Sequence, residues 1–120
     1  MTHKDLDLWK DSIKFVTYVY EVTKKFPKEQ LYNLVSQIKR AAISVPSNIA
    51  ECAGRNHKNE FIQFLYIASG SLSEIETQFI ISTNLKYIDS NTFDNLSQKI
   101  NKIRSQIFGL IKSLKKYYSS

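Results

Sequence analysis

The sequence of 120 residues contains only one cysteine, two prolines and three glycines. A lone Cys52 excludes an intrachain disulfide, and His3 and His57 are too far apart in sequence to complete a zinc-binding pattern with it. The low proline and glycine content excludes collagen-like and low-complexity chains. We therefore interpret Cys52 as a small core residue and expect no metal and no other cofactor.

The sequence also lacks long apolar runs. The opening stretch MTHKDLDLWKD is charged, and no segment has the length and apolarity of a signal peptide or a membrane span. We expect a cytoplasmic protein that has no membrane partner. Hydrophobic residues make up 42% of the chain and charged residues 23%, the balance of a folded globular protein. Its length fits one domain over residues 1–120.

The formal net charge of +6 is concentrated at one end of the chain. Residues 1–94 hold 11 basic and 11 acidic side chains, so the whole excess follows Asp94. Six residues supply it: Lys99, Lys102, Arg104, Lys112, Lys115 and Lys116. Such a one-sided basic segment predicts an anionic partner, most commonly RNA or DNA, whereas the alternative is a solvated face that only keeps the protein soluble.

Apolar residues recur every three or four positions in four segments, which predicts four helices and no strands. The last helix, from about residue 90 to 117, has an unbroken apolar seam: Phe93, Leu96, Ile100, Ile103, Ile107, Leu110, Leu114 and Tyr117. The third, from about residue 58 to 85, has a wider apolar arc than one seam requires. That arc suits a helix with two neighbours or a helix at a subunit interface.

The first helix is expected to bury Trp9, Ile13, Val16, Val19 or Tyr20, and Phe26. It is expected to end before Pro27, because the residue before a proline avoids helical geometry. Only a few residues join the second helix to the third and the third to the fourth, so neighbouring helices must run antiparallel. The predicted fold is all-α, an antiparallel up-down-up-down four-helix bundle.

The second helix, predicted over residues 34–53, contains a proline. Its apolar pattern keeps its phase across Pro46, and Val45 would be a very poor N-cap for a new helix starting there. We therefore expect one helix, kinked at Pro46 because the proline removes a backbone hydrogen bond.

A polar row follows one side of this helix, away from its core face: Gln37, Arg40, Ser44, Asn48, Glu51 and Arg55. An isolated row of this kind usually faces water. Solvated helix faces favour Lys and Glu, however, whereas this row mixes amides, hydroxyls and single charges. We interpret it as an interface with another protein surface or a polynucleotide. We expect Arg40 to pair with Glu74 of the third helix or with Glu51, and the competing interpretation is a contact with RNA.

No residue pattern in the sequence is typical of an enzyme. The chain has no Glu-x-x-His pair of a dimetal bundle, no glycine pattern of a phosphate-binding loop and no nucleophile elbow. We expect a protein without enzymatic activity or a small-molecule substrate.

Two long stretches, SQIKRAAISVPSNIAE and NEFIQFLYIASGSLSEIETQ, are accompanied by DLDLWKDSI and KKFPKE. In this order they resemble the four-helix-bundle proteins encoded in intervening sequences of bacterial large-subunit (23S) ribosomal RNA genes. The sequence departs from that family's pattern at Asn33 and Cys52, where glycine is usual, and at Val35, where threonine is common. The resemblance implies a cytoplasmic homopentamer, and some distant relatives are basic nucleic-acid-binding accessories of retroelements.

Two hypotheses of function follow. In the first, a homo-oligomeric bundle binds RNA or DNA without sequence preference through its basic last helix. In the second, the oligomer is a scaffold that contacts only protein.

Overall fold

The structure is a computed structural model that describes residues 6–53 and 57–118. It contains four α-helices: α1 (Asp7–Thr23), α2 (Leu34–Ala53), α3 (Lys58–Asn84) and α4 (Ser90–Tyr118). A short 3-10 turn, Lys28–Gln30, lies between α1 and α2. No strand occurs in the described residues, which confirms the predicted all-helical class.

One cluster of buried apolar side chains joins the four helices. The predicted seams of α2, α3 and α4 supply most of it: Ile38, Ala42, Val45, Ile49, Leu65, Leu72, Ile75, Phe79, Leu96, Ile100, Ile103 and Ile107. Near the end of α4 the seam moves to Ile111, whereas the predicted Leu110 is only partly buried. The side chain of Tyr117 lies outside the described part of the chain.

The predicted inward face of α1 is confirmed at Val19 and, just after the helix, at Phe26, which are both buried. Earlier in the helix the prediction is wrong: Phe15 is buried in the core, whereas Ile13 is 41% exposed and Trp9 only partly buried. Ser12 also occupies a core position, and its hydroxyl donates a hydrogen bond of 2.8 Å to the carbonyl of Trp9. Because that bond satisfies its polar group, serine is tolerated in the core. Apolar spacing alone therefore favours the neighbouring stripe that begins with Trp9, Ile13 and Val16, because that stripe contains no serine.

The second helix continues through Pro46 as one α-helix, as its apolar pattern predicts. Since proline has no N–H, the carbonyl of Ala42 loses its regular helical donor. Two side-chain bonds reinforce this part of the helix. The Asn48 amide donates to the carbonyl of Ser44, and the Ser44 hydroxyl donates to that of Ala41, each at 2.7 Å.

Local hydrogen bonds define the join between α3 and α4. Lys86 has a φ of 66°, and the N–H of Tyr87 bonds the carbonyl of Ser82, which is the Schellman ending of a helix. Asp89 then caps α4, because its carboxylate accepts a hydrogen bond of 2.8 Å from the N–H of Thr92. This bond lowers the pKa of Asp89.

Each helix packs against two others. α2 lies against α1 and α3, and α4 lies against α3 and α1. The edge between α1 and α2 and the outer face of α3 are consequently on different sides of the bundle. No helix in the described residues is long and apolar enough to cross a membrane.

Candidate nucleic-acid interface

The six basic residues of α4 do not form a single stripe. The buried seam fixes the rotation of the helix about its own axis, so spacing along the chain decides the direction of each cation. Two cations lie at the edge facing α1, two at the edge facing α3 and two on the exposed outer side: Lys99 and Lys102, Arg104 and Lys115, and Lys112 and Lys116.

At the α1 edge, Asp11 neutralises part of the positive charge. Its carboxylate accepts a hydrogen bond of 2.9 Å from the amide of Gln106 and lies 3.5 Å from the Nζ atom of Lys102. The Gln106 hydrogen bond, followed by the positive charge of Lys102, lowers the pKa of Asp11. Lys99 instead lies 4.9 Å from the ring centre of Tyr18, a cation–π contact that leaves its charge uncompensated.

At the α3 edge, Arg104 is held by Glu76. Its Nη2 atom lies 3.3 Å from the Oε1 atom of Glu76, and its Nη1 atom donates to the side chain of Asn101 at 2.9 Å. Lys115 donates a hydrogen bond of 3.2 Å to the hydroxyl of Tyr66. A phosphate at this edge would compete with protein groups already bound to both cations.

Lys112 and Lys116 are exposed and lie one helical turn apart. Neither has a carboxylate within salt-bridge distance among the described residues. The sequence grouped all six cations by their position in the chain. Only the packed helices show that Lys102 and Arg104 face carboxylates, that Lys99 and Lys115 contact tyrosines, and that Lys112 and Lys116 point outward.

The middle of the polar row of α2 lies along the edge between α2 and α3, whereas Gln37, Arg40 and Glu51 are exposed. The hydroxyls of Ser44 and Ser71 are hydrogen-bonded across that edge at 2.5 Å, and Ser44 and Asn48 are half-buried. Gln37 and Arg40 line a surface pocket of about 350 Å³ together with Ser44 and Glu74. Ser71, on α3, is the partner that the sequence analysis missed.

The expected ion pair of Arg40 is absent from the described residues. Arg40 and Glu74 line the same pocket, but no salt bridge joins Arg40 to Glu74 or to Glu51. Glu51 has an interaction of its own, and Arg55, the last member of the row, lies outside the described residues. The exposed guanidinium of Arg40 therefore remains accessible to another molecule.

Cys52 is a buried core residue, as predicted. Its thiol donates to the carbonyl of Ile49 at 3.0 Å, and burial raises its pKa to about 12. Near neutral pH the thiol therefore stays protonated and is a poor nucleophile. Among the described residues, no group of three or more His, Cys, Asp and Glu side chains is placed to hold a metal ion.

An apolar groove lies between α1 and α2, a feature that the sequence analysis also missed. We call it the α1–α2 groove; it has a volume of about 350 Å³ and is lined by Trp9, Ile13, Val16, Thr17, Ile43, Pro46, Ser47 and Ala50. It exists because the rotation of α1 leaves Ile13 outside the core, opposite Ile43, which is 44% exposed. The sequence did contain a signal for this groove, because α1 has two apolar stripes and only one of them can face the core.

Residues 4–109 match the family model of the 23S rRNA-intervening sequence proteins. The chain belongs to this family. A crystal structure of a protein of unknown function from the S23 ribosomal protein family of Bacteroides thetaiotaomicron VPI-5482 is similar, with a TM-score of 0.81 and 23% sequence identity. The match covers 88% of this chain and 95% of that chain, and at this identity it shows a shared fold alone. No curated protein matches the chain.

Family membership confirms the resemblance carried by the motifs of α2 and α3. It assigns no role to individual residues, and the structurally similar protein is itself of unknown function. The function must therefore be argued from the surfaces described above.

Proposed function

We propose that this 23S rRNA-intervening sequence family protein is a non-enzymatic, self-associating bundle that binds RNA or DNA weakly and without sequence preference. One observation carries the proposal. Lys99, Lys112 and Lys116 are exposed on α4 and have no carboxylate partner among the described residues. The protonated thiol of Cys52 supports the non-enzymatic part. We place the protein in the cytoplasm, as the resemblance implies.

The contacts of α4 suggest which cations contribute most. A phosphate near Lys102 or Arg104 must compete with Asp11 or Glu76, so these two positions should add less than the uncompensated lysines. Phosphate contacts carry no sequence information by themselves, and each released counterion makes binding more sensitive to salt. In the homopentamer implied by the resemblance, five copies would strengthen weak contacts through multivalency.

We further infer an antiparallel up-down-up-down arrangement with α2 bent at Pro46. Two contacts between α1 and α4 support the antiparallel part, because their order is reversed: Asp11 meets Gln106, whereas the later Tyr18 meets the earlier Lys99. The missing N–H of Pro46 provides the physical cause of a bend.

The alternative function, an oligomeric scaffold that contacts only protein, is favoured by a different observation. The α1–α2 groove and several isoleucines of α3 leave apolar surface exposed, and such surface suits a protein partner better than a phosphate backbone. The two functions are compatible in one oligomer, but a pure scaffold predicts no retention of nucleic acid near physiological salt.

Filter binding with a structured RNA hairpin and a random DNA duplex, from low to moderate salt, tests the proposal. We expect similar affinities for both ligands and a steep loss of affinity as salt rises. Retention of neither ligand even at low salt would overturn nucleic-acid binding and leave the scaffold.

A further inference from the structure

The outer face of α3 combines exposed apolar side chains with charge of one sign. Ile67 and Ile81, which are 45% and 44% exposed, lie on one stripe of this face with Gly70 and Glu74 between them, and we call this stripe the α3 ridge. Ile80, 45% exposed, lies beside it on the side toward α4. Between Lys58 and Lys86 the sequence has three glutamates and no basic residue. A helix that is apolar beyond its core stripe is normally covered on further sides, whereas within the described residues α3 has only α2 and α4 as helical neighbours.

Gly70 lies within the ridge, one turn after Ile67. It is exposed, and a Cβ atom added there would meet nothing within 4 Å. A glycine inside a helix is less stable than an alanine, and nothing in the surroundings of Gly70 requires one. Close approach of another molecule to this face would account for the glycine, because small residues allow helices to pack at short distance.

The α1–α2 groove complements the ridge in shape, and a cation beside the groove complements the ridge in charge. The groove is concave, and no charged residue in the described part of the chain lines it. At one end of the groove, the Nζ atom of Lys39 lies 4.5 Å from the ring centre of Tyr20. Lys39 precedes Ile43 by one helical turn, and Tyr20 follows Val16 by one helical turn. The edge thus combines apolar surface with a cation, whereas the ridge combines apolar surface with the exposed carboxylate of Glu74.

We propose that the α3 ridge of one copy docks into the α1–α2 groove of a second copy. This inference rests on the proposed self-association and specifies its two surfaces. Because the groove and the ridge are different surfaces on different sides of the bundle, the contact is heterologous: each copy uses its groove for one neighbour and its ridge for another. Repetition of such a contact builds a ring when the rotation between copies closes.

A second copy is the occupant that accounts for both surfaces at once. Every copy carries one groove and one ridge, so each contact buries apolar surface on both molecules and brings a cation near a carboxylate. A small apolar ligand would fill the groove but leave the convex ridge exposed.

Two single variants test the docking. Ile43→Arg places a charge in the groove and Ile81→Arg places one on the ridge; both positions are 44% exposed, so the isolated protomer accommodates the longer side chain. Each variant alone should be monomeric at micromolar concentration in sedimentation, with self-association weakened by at least about 100-fold, because an unpaired charge would be buried at the contact.

An equimolar mixture distinguishes heterologous from isologous contact. The intact ridge of the Ile43→Arg variant should dock into the intact groove of the Ile81→Arg variant, and the arginine-bearing surfaces should block further growth. The mixture should therefore give a dimer with one copy of each variant. Leu31→Arg, at an exposed position beside the 3-10 turn and outside both surfaces, is the matched control and should keep the mass of the unmodified protein.

Continued assembly of either arginine variant, or a mixture that stays monomeric while both variants keep their helicity, overturns the docking. If an isoleucine variant loses helicity, Ser47→Arg in the groove and Thr77→Arg beside the ridge repeat the test at exposed polar positions. A monomeric unmodified protein would overturn self-association itself, and nucleic-acid binding is measured separately by filter retention.

Discussion

Arg104 of α4 and Glu76 of α3 form an ion pair between two helices, with the Nη2 atom 3.3 Å from the Oε1 atom. Both side chains are only partly exposed, 27% and 33% respectively. The pair therefore links α4 to α3. Through it, Glu76 partly neutralises one of the six cations that the sequence identifies as candidates for phosphate binding. Charge summed along the chain overstates the positive charge that a phosphate can reach.

Neutralising the two outward lysines should weaken nucleic-acid binding. We expect Lys112→Gln combined with Lys116→Gln to lower affinity for hairpin RNA and duplex DNA alike, and to reduce the salt slope by up to about 2 per protomer, since each lost phosphate contact removes roughly 0.9. Filter binding across a salt series measures both effects. By contrast, Arg104→Gln should change the slope little and lower the free energy of unfolding by about 1 kcal/mol or less, because solvent screens the pair.

The matched control for this charge removal is Lys25→Gln combined with Lys28→Gln. Both positions are exposed, form no salt bridge among the described residues and lie at the opposite end of the bundle from Lys112. If this control loses as much affinity as the α4 variant, binding depends on total charge and not on the outer side of α4.

Two glycine variants separate protomer stability from assembly. Gly70 and Gly109 are exposed helical residues with open space around an added Cβ atom, so alanine at either position should raise the free energy of protomer unfolding by up to about 1 kcal/mol. Only Gly70→Ala should also weaken self-association, because only Gly70 lies in the α3 ridge. Urea unfolding of dilute protein and sedimentation measure the two effects; equally strong assembly of both variants would contradict a covered ridge.

Replacing Pro46 should stabilise the protomer and impair its assembly. Alanine supplies the missing N–H and removes a helix penalty of about 3 kcal/mol, against a loss of roughly 1 kcal/mol from the buried ring. The net gain should be about 1–2 kcal/mol in urea unfolding. Because Pro46 lines the α1–α2 groove, light scattering should show weaker self-association. Unchanged assembly would mean that the proline and its expected bend are incidental.

Through Asp11, the free energy of unfolding should depend on pH in the acid range. Its pKa is lowered in the folded protein, chiefly by the Gln106 hydrogen bond and then by Lys102, so the ionised carboxylate stabilises the fold. This contribution is fully present above the unfolded pKa of about 4 and is lost as pH falls through the lower folded value. Asp11→Asn should therefore unfold more easily than the unmodified protein at neutral pH, and the two should converge in strong acid. Urea titrations at both pH values measure this, and a difference independent of pH would exclude the carboxylate as its source.

The apolar periodicity identified most of the core because α2, α3 and α4 each have a dominant inward stripe. Ile38, Leu72 and Ile103 are buried where their spacing placed them. In α1 two stripes compete, and the observed one includes Ser12, which enters the core only through its hydrogen bond to the backbone. Local hydrophobicity could not predict that choice, because it depends on which face the neighbouring helices cover.

By itself, the sequence determined the four helices, the passage of α2 through Pro46, the family and the position of the excess positive charge. Periodicity, capping and charge are properties of residues close together in the chain, so they can be read without knowing how the helices pack. Only the tertiary structure decided which cations are compensated and which apolar stripe of α1 faces outward. Glu76 lies 28 positions from Arg104, and Asp11 lies 95 positions from Gln106. Such partners meet only when core packing fixes the rotation of each helix about its own axis, which no local pattern specifies.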